Sequence, residues 1–202
     1  MTRKIEAIDI PIPMTQEFLG FIQNWRVVVV WDKDHTMVNY DNEFRPKLKE
    51  NLLAMKKKFP RWRHVILTEN TLESVYDMFD KEPGIEQIFD MILCDDNFFS
   101  RKAIRQYFIK KKMWFSLFGR TPKRERTKRK NRRVNDIFLG KKVVLIDDLR
   151  NGRVPEHSFC VTCKLWTGDV SHEDEINWPD TLEESILGVL KRLYHYEPNL
   201  YF

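Results

Sequence analysis

The stretch Val27-Val28-Val29-Val30-Trp31-Asp32-Lys33-Asp34-His35-Thr36 decides how the rest of this 202-residue chain is read. Four consecutive β-branched residues and a Trp have the make-up of a strand buried on both faces, as a parallel sheet supplies. The strand runs directly into two carboxylates and a hydroxyl. Ligands of open α/β sheets bind outside the carboxyl ends of their strands, so this is where a site is expected. An Asp after a strand can also do no more than cap the next turn. The remainder of the chain has to decide between the two.

Working outward, the polar run 38–44 reads as a flap or loop. Pro46 then opens a helix through Lys58 carrying Leu48, Leu52, Leu53 and Met55, which ends at Phe59-Pro60. His64-Val65-Ile66-Leu67 reads as a second parallel strand, running into Thr68-Glu69-Asn70. Thr71 is placed to cap a helix over 72–80, with Val75 and Phe79 at helical spacing, broken by Pro83-Gly84. A shorter apolar run over 88–93 ends at Cys94-Asp95-Asp96. A helix with a mixed face is expected over 100–112, followed by an apolar knot of Trp114, Phe115, Leu117 and Phe118. Val143-Val144-Leu145-Ile146 is another strand of the fully buried kind and ends in Asp147-Asp148. One more strand is expected over 159–165. Asp180-Thr181 with Glu183 and Glu184 has capping-box chemistry and opens a final helix striped by Leu182, Ile186, Val189, Leu190 and Leu193.

Strands alternating with helices predict an α/β fold with a mostly parallel central sheet flanked by helices. The expected organisation is an N-terminal arm and short helix over 1–24, the latter capped by Thr15 with Phe18, Leu19 and Ile22 on one face. A single domain over 25–195 and a tail over 196–202 follow. Three cysteines suggest no disulfide framework and a reducing compartment. No apolar run approaches membrane-spanning length and no signal-peptide core follows Met1, so an intracellular protein without a membrane partner is expected.

The net charge of +5 is not a whole-surface property. Residues 120–133 hold nine Lys and Arg and one Glu, a local balance of +8, which leaves the remainder of the chain at −3. This basic insert reads as a solvated segment that binds nucleic acid or another acidic partner, or directs import, and favours the nucleus over the cytoplasm. Nucleic acid would be held there through backbone phosphates, without sequence information.

Three strands end in Asp32 and Asp34, in Thr68, and in Asp147 and Asp148. The ends of parallel strands gather at one edge of the sheet, so these groups are expected to converge. Clustered carboxylates repel unless a cation neutralises them, and hard oxygen ligands on few residues suit Mg²⁺. A carboxylate can attack phosphorus to form an aspartyl-phosphate. A second Asp can protonate the leaving oxygen and later activate water. A hydroxyl and a Lys would hold the phosphoryl oxygens.

Asp32-Lys33-Asp34-His35-Thr36, Thr68 and Ile146-Asp147-Asp148 resemble motifs I, II and IV of the haloacid dehalogenase (HAD) superfamily of phosphatases. The D-x-D-x-T form is similar to the branch containing the carboxy-terminal-domain protein phosphatases. The resemblance implies a HAD-like Rossmannoid fold with a minimal cap or none. It also implies that Asp32 is the nucleophile and Asp34 the general acid/base. Mg²⁺ would be bound by Asp32, the Asp34 carbonyl, Asp147 and, through water, Asp148, with Thr68 on the phosphate. The family's lysine falls near Lys130, inside the basic run, where Lys128, Arg132 and Arg133 compete for the role. Only 31 residues separate Thr36 from Thr68, too few for a folded cap, and an open site favours a macromolecular phosphoester.

With a Trp ahead of motif I, the stretch Ile146-Asp147-Asp148-Leu149-Arg150-Asn151-Gly152 and the basic insert, the chain also resembles the phosphatase-like nucleocapsid-assembly proteins of baculoviruses and related insect viruses. The resemblance implies a phosphoprotein substrate, in particular a basic DNA-packaging protein. Two rival readings are a polynucleotide end phosphatase and a structural nucleic-acid-associated protein that kept the fold and lost turnover. Cys160 and Cys163, three apart in a strand, should face opposite ways, which argues against a shared zinc. His35, at an x position of the motif, is expected to point away from the carboxylates.

Overall fold

In the computed structural model the described residues are 16–68, 70–94, 97–100, 138, 140–148, 159–169 and 173–197, without the side chains of 16–17, 97–100 and 173–177. The arm over 1–15 with Thr15, all but the first residue of the helix expected over 100–112, the aromatic knot at 114–118, the basic insert with Lys130 and the tail from 198 lie outside them.

The valine run becomes β1 (Val27–Asp32), with Val28, Val29, Val30 and Trp31 wholly buried. Each such side chain contributes roughly 1.5–3 kcal/mol by leaving water. Trp31 can be interior because its indole N–H donates to His64 Nδ1 at 3.2 Å. The chain continues through α2 (Leu48–Lys58), β2 (Trp62–Leu67), α3 (Leu72–Lys81), a 3₁₀ turn at Ile85–Gln87, β3 (Met91–Cys94) and β4 (Asn97–Ser100). β5 (Lys142–Asp147), β6 (Cys160–Thr162) and α4 (Glu173–Tyr194) follow, and α1 (Gln16–Ile22) precedes β1. The six strands form one sheet in the order β4-β3-β2-β1-β5-β6. All pairings are parallel except β3 with β4. The expected α/β architecture with a mostly parallel sheet is therefore the observed one. No described helix is long and apolar enough to cross a membrane.

Helices α2 and α4 pack on one another, and α4 also covers β5 and β6. The basic last turn of α2 is anchored: Lys56 Nζ lies 2.7 Å from the buried Asp90 and Lys58 Nζ 2.5 Å from Glu183. Cations there also complement the helix dipole. Thr71 caps α3 as expected, its hydroxyl accepting from Ser74 N at 3.4 Å. Gly84, at φ +94°, allows the chain to turn from α3 into the 3₁₀ segment.

Several local expectations are corrected. Leu19 and Leu53 do not join the buried stripes of their helices; each is 43% exposed, while Phe18, Ile22, Leu48, Leu52 and Met55 face the core. The strand read over 88–93 starts only at Met91. Ile88 and Phe89 are buried through the 3₁₀ turn, and Asp90 turns inward to accept from His64 N and Lys56. β4 replaces the expected start of a helix at Ser100. β6 stops at Thr162 rather than at 165: Cys163 N still donates to Asp147 O at 3.1 Å, but by Trp166 the backbone bonds to His35 O of the β1 loop. The last helix begins at Glu173, not at Asp180, and carries Pro179 inside it. Asp180 is therefore no cap. Its carboxylate accepts from Lys47 and Asn51 of the α2 region, which hold it below its ordinary range.

Candidate functional site at the carboxyl edge of the sheet

β1 is central, with β2 and β5 as parallel neighbours, so the loops leaving these three strands share one edge. Trp31 is in register with Ile146, which brings Asp32 beside Asp147 at the strand ends. Asp32, Asp147 and Asp148 each offer a carboxylate oxygen within 4.8 Å of the others. Among the described residues these three acids form the group close enough to share an ion. Three carboxylates at that spacing repel, and an all-oxygen, hard donor set fits a divalent cation. The Thr36 hydroxyl donates to Asp32 Oδ2 at 3.2 Å and fixes its rotamer.

Asp34 is built differently. Its carboxylate is not one of that group and instead meets three donors on two segments, the β1 loop and the end of β2. Lys33 Nζ lies 2.8 Å from Oδ1, and Oδ2 accepts from Asn70 Nδ2 at 2.6 Å and Thr68 Oγ1 at 3.3 Å. At 38% exposure Asp34 is still reachable from solvent. Thr68 is buried at the end of β2, its N–H bonded to Leu93 O and its hydroxyl accepting from Asn70 N. Of the residues singled out from the sequence, Asp32, Asp34, Thr68, Asp147 and Asp148 thus come to one edge. Lys130 lies outside the described residues.

The loop between β1 and α2 is a compact flap over 38–44, closed on itself by bridges pairing Asp34 with Val38 and Val38 with Phe44. Its stem is unusual. His35 holds φ +64°, a conformation that costs a non-glycine residue free energy unless its surroundings fix it. Trp166 N donates to His35 O at 2.7 Å, and His35 Nδ1 lies 3.1 Å from Trp166 O. That second bond requires the ring proton on Nδ1. The imidazole meets Tyr40 edge-on at 4.1 Å.

Arg45, wholly interior, closes the clasp from behind. It donates to Thr36 O (3.2 Å), His35 O (3.3 Å) and Lys164 O, and its guanidinium lies 5.6 Å from the Trp166 ring and 4.9 Å from the Trp178 ring. The first turns of α4, which the sequence pattern did not suggest, bring Trp178 into this stack.

Sequence reasoning missed Lys33, Arg45, Asn70 and Trp166. A signal existed for one of them: Lys33 is a cation placed between two acids, next to a buried strand. Asn70 stands two residues beyond Thr68, but nothing local says that it reaches Asp34.

Cys160 and Cys163 are free thiols, with Cys163 beside Thr36 and Arg45. Burial pushes both up from 9.0 to about 12, with the negative field of Asp147 adding to it. Arg45 and the Thr36 hydroxyl oppose the rise at Cys163 without cancelling it. Thiolates are the reactive form, so alkylation of these two by iodoacetamide at pH 8 should be far slower in the native protein than after denaturation. The folded pKa is raised, so this contribution to stability is complete below about pH 9 and is lost as pH rises toward 12. Urea midpoints measured across pH 8–11 should fall, and a rising midpoint would contradict the assignment.

No protein-family model matches this chain, and no curated protein matches it significantly.

Proposed function

We propose that this chain is a Mg²⁺-dependent phosphatase of the HAD type, acting on phosphoserine or phosphothreonine of a protein through an aspartyl-phosphate on Asp32. The observation that carries the reading is the division of labour at the sheet edge. Asp32, Asp147 and Asp148 crowd within 4.8 Å, while Asp34 stands apart, held beside Thr68. One carboxylate set is suited to a cation and a nucleophile, and a separate carboxylate to proton transfer. The mostly parallel α/β sheet with β1 inside it is compatible with a HAD-like Rossmannoid core.

Asp32, Asp147 and Asp148 would hold the Mg²⁺, together with the Asp34 carbonyl. When bound, the ion offsets the charge of the carboxylates and of the phosphoryl group. Asp32 then attacks phosphorus as the bond to the ester oxygen breaks, and Asp34 delivers a proton to that oxygen. Water, giving its proton back to Asp34, hydrolyses the acyl phosphate. With substrate bound, Thr68 would turn its hydroxyl from Asp34 Oδ2 to a phosphoryl oxygen, leaving Asn70 on Oδ2, and Lys130 or a neighbour in the basic insert would supply the further positive charge.

The 31 residues between Thr36 and Thr68 are taken up by the flap, α2 and β2, which leaves none for a cap in that interval and supports a macromolecular substrate. The basic insert suits an acidic or phosphate-rich partner such as nucleic acid, distinct from a basic substrate protein. A basic viral DNA-packaging phosphoprotein is the specific substrate class suggested by the resemblance to nucleocapsid-assembly phosphatases.

The test compares phosphate release from a phosphoserine peptide, a 3′-phosphorylated oligonucleotide and p-nitrophenyl phosphate, with Mg²⁺ and with EDTA. Release should require Mg²⁺ and be fastest from the peptide among the two biological esters. Preference for the oligonucleotide would replace the substrate assignment. No Mg²⁺-dependent release from any of the three, by protein with a cooperative melt, would replace the enzymatic reading with a structural one.

A further inference from the structure

We infer that Lys33 is a positioning residue which latches the flap to Asp34, so that flap closure and the orientation of the acid/base group are one event. The inference rests on the phosphatase reading and concerns residues to which the resemblance assigns no role.

Lys33 is 1% exposed, a cation buried between two acids at the end of β1. An ammonium group is withdrawn from water only where its partners replace the lost hydration. Two are in place: Asp34 Oδ1 at 2.8 Å and Asn42 Oδ1 at 2.9 Å. The first belongs to the site and the second to the flap. Asn42 itself sits at φ +58°, a left-handed conformation that Asn tolerates better than most residues, and this turn brings its amide back over the loop stem. Its own N–H is bonded to Asn39 O at 3.1 Å, and Asn39 in turn gathers Asp41 N, Glu43 N and the Glu43 carboxylate. The flap is therefore internally stiff, and Lys33 is the side chain joining it to Asp34.

The physical consequence follows from what each bond fixes. Asn70 and Thr68 hold Oδ2 only, which leaves the carboxylate free to swing about that oxygen. Lys33 holds Oδ1 and removes that freedom. Lifting the flap withdraws Asn42 and leaves the buried ammonium with half its partners, so the open state costs free energy and Asp34 loses its fixed orientation in it. A substrate that closes the flap restores both. Removing Lys33 should harm the proton-transfer step more than the binding of the phosphoryl group.

The leaving group separates these effects. A serine alkoxide must be protonated as it departs, whereas p-nitrophenolate leaves without help. Lys33→Met, which keeps the volume and removes the charge, should lower kcat on a phosphoserine peptide by about 10–100-fold with KM changed less than about twofold. On p-nitrophenyl phosphate the loss should be several times smaller. Asn42→Ala should shift both in the same direction by less, and it serves in place of Lys33→Met if that variant folds poorly. Hydrogen exchange at the amides of Asn39, Asn42 and Arg45 reads the latch without reference to turnover and should quicken by at least about tenfold. Equal losses on the two substrates, or no loss on either, overturn the positioning role while leaving the phosphatase reading in place. Unchanged exchange overturns the latch even if the wild-type chain proves to have no phosphatase activity.

Discussion

Asp32→Asn is expected to lower Mg²⁺-dependent phosphate release by at least about a thousandfold, because an amide oxygen does not displace an ester oxygen from phosphorus. The substitution is nearly isosteric, and the Thr36 hydroxyl that donates to Oδ2 keeps an acceptor. It also takes one charge out of a group of three carboxylates within 4.8 Å of one another. In EDTA the melting temperature of the variant should therefore equal or exceed that of the parent, as happens where a site is held at the expense of stability. Single-turnover phosphate release and thermal melts in EDTA measure the two effects. Lost activity with a lowered melting temperature would make Asp32 a structural residue and remove the nucleophile assignment.

Arg45→Ala is expected to be the most damaging of the stability changes, at about 4 kcal/mol. It withdraws the donor from carbonyls of Thr36, His35 and Lys164 and empties the space between Trp166 and Trp178. Arg45→Met fills most of that space without donating, and should cost less than Ala by roughly the cavity contribution, ~1–2 kcal/mol. For a chain of this size the Ala variant corresponds to a fall in melting temperature on the order of 10 °C. Urea denaturation of both variants checks the values. A loss below about 1 kcal/mol for Ala would mean that the clasp on His35 holds without its guanidinium.

The strands at the heart of the sheet were legible because their signal is compositional and local. Valine runs such as Val27–Val30 and Val143–Ile146 can satisfy burial on both faces in few other ways. The convergence of Asp32, Thr68 and Asp147 followed from topology, since parallel strands share an edge. What escaped was long-range pairing. Lys33 gains its partner Asn42 only when the flap folds back over the end of β1. Arg45 reads as a loop arginine, and its partner Lys164 lies 119 residues away. The capping-box pattern at Asp180-Thr181 is locally sound, yet the helix runs through it, and Asp180 instead engages Lys47 and Asn51. Leu19 and Leu53 fit their stripes by spacing but face solvent, since periodicity fixes a direction and not the presence of a neighbour to bury against.

The position of β1 in the sheet bears on how the molecule comes into being. Among the described residues the first strand made is an inner one, and its two neighbours arrive at very different times: β2 within forty residues, β5 only after more than a hundred. During synthesis the valine run therefore has one open edge for most of the chain's emergence, a template for wrong pairing until β5 docks. The same delay has a benefit. Asp32 does not meet Asp147 and Asp148 until β5 docks, so the mutual repulsion of the acids is deferred until β1 to β4 are in place to bear it.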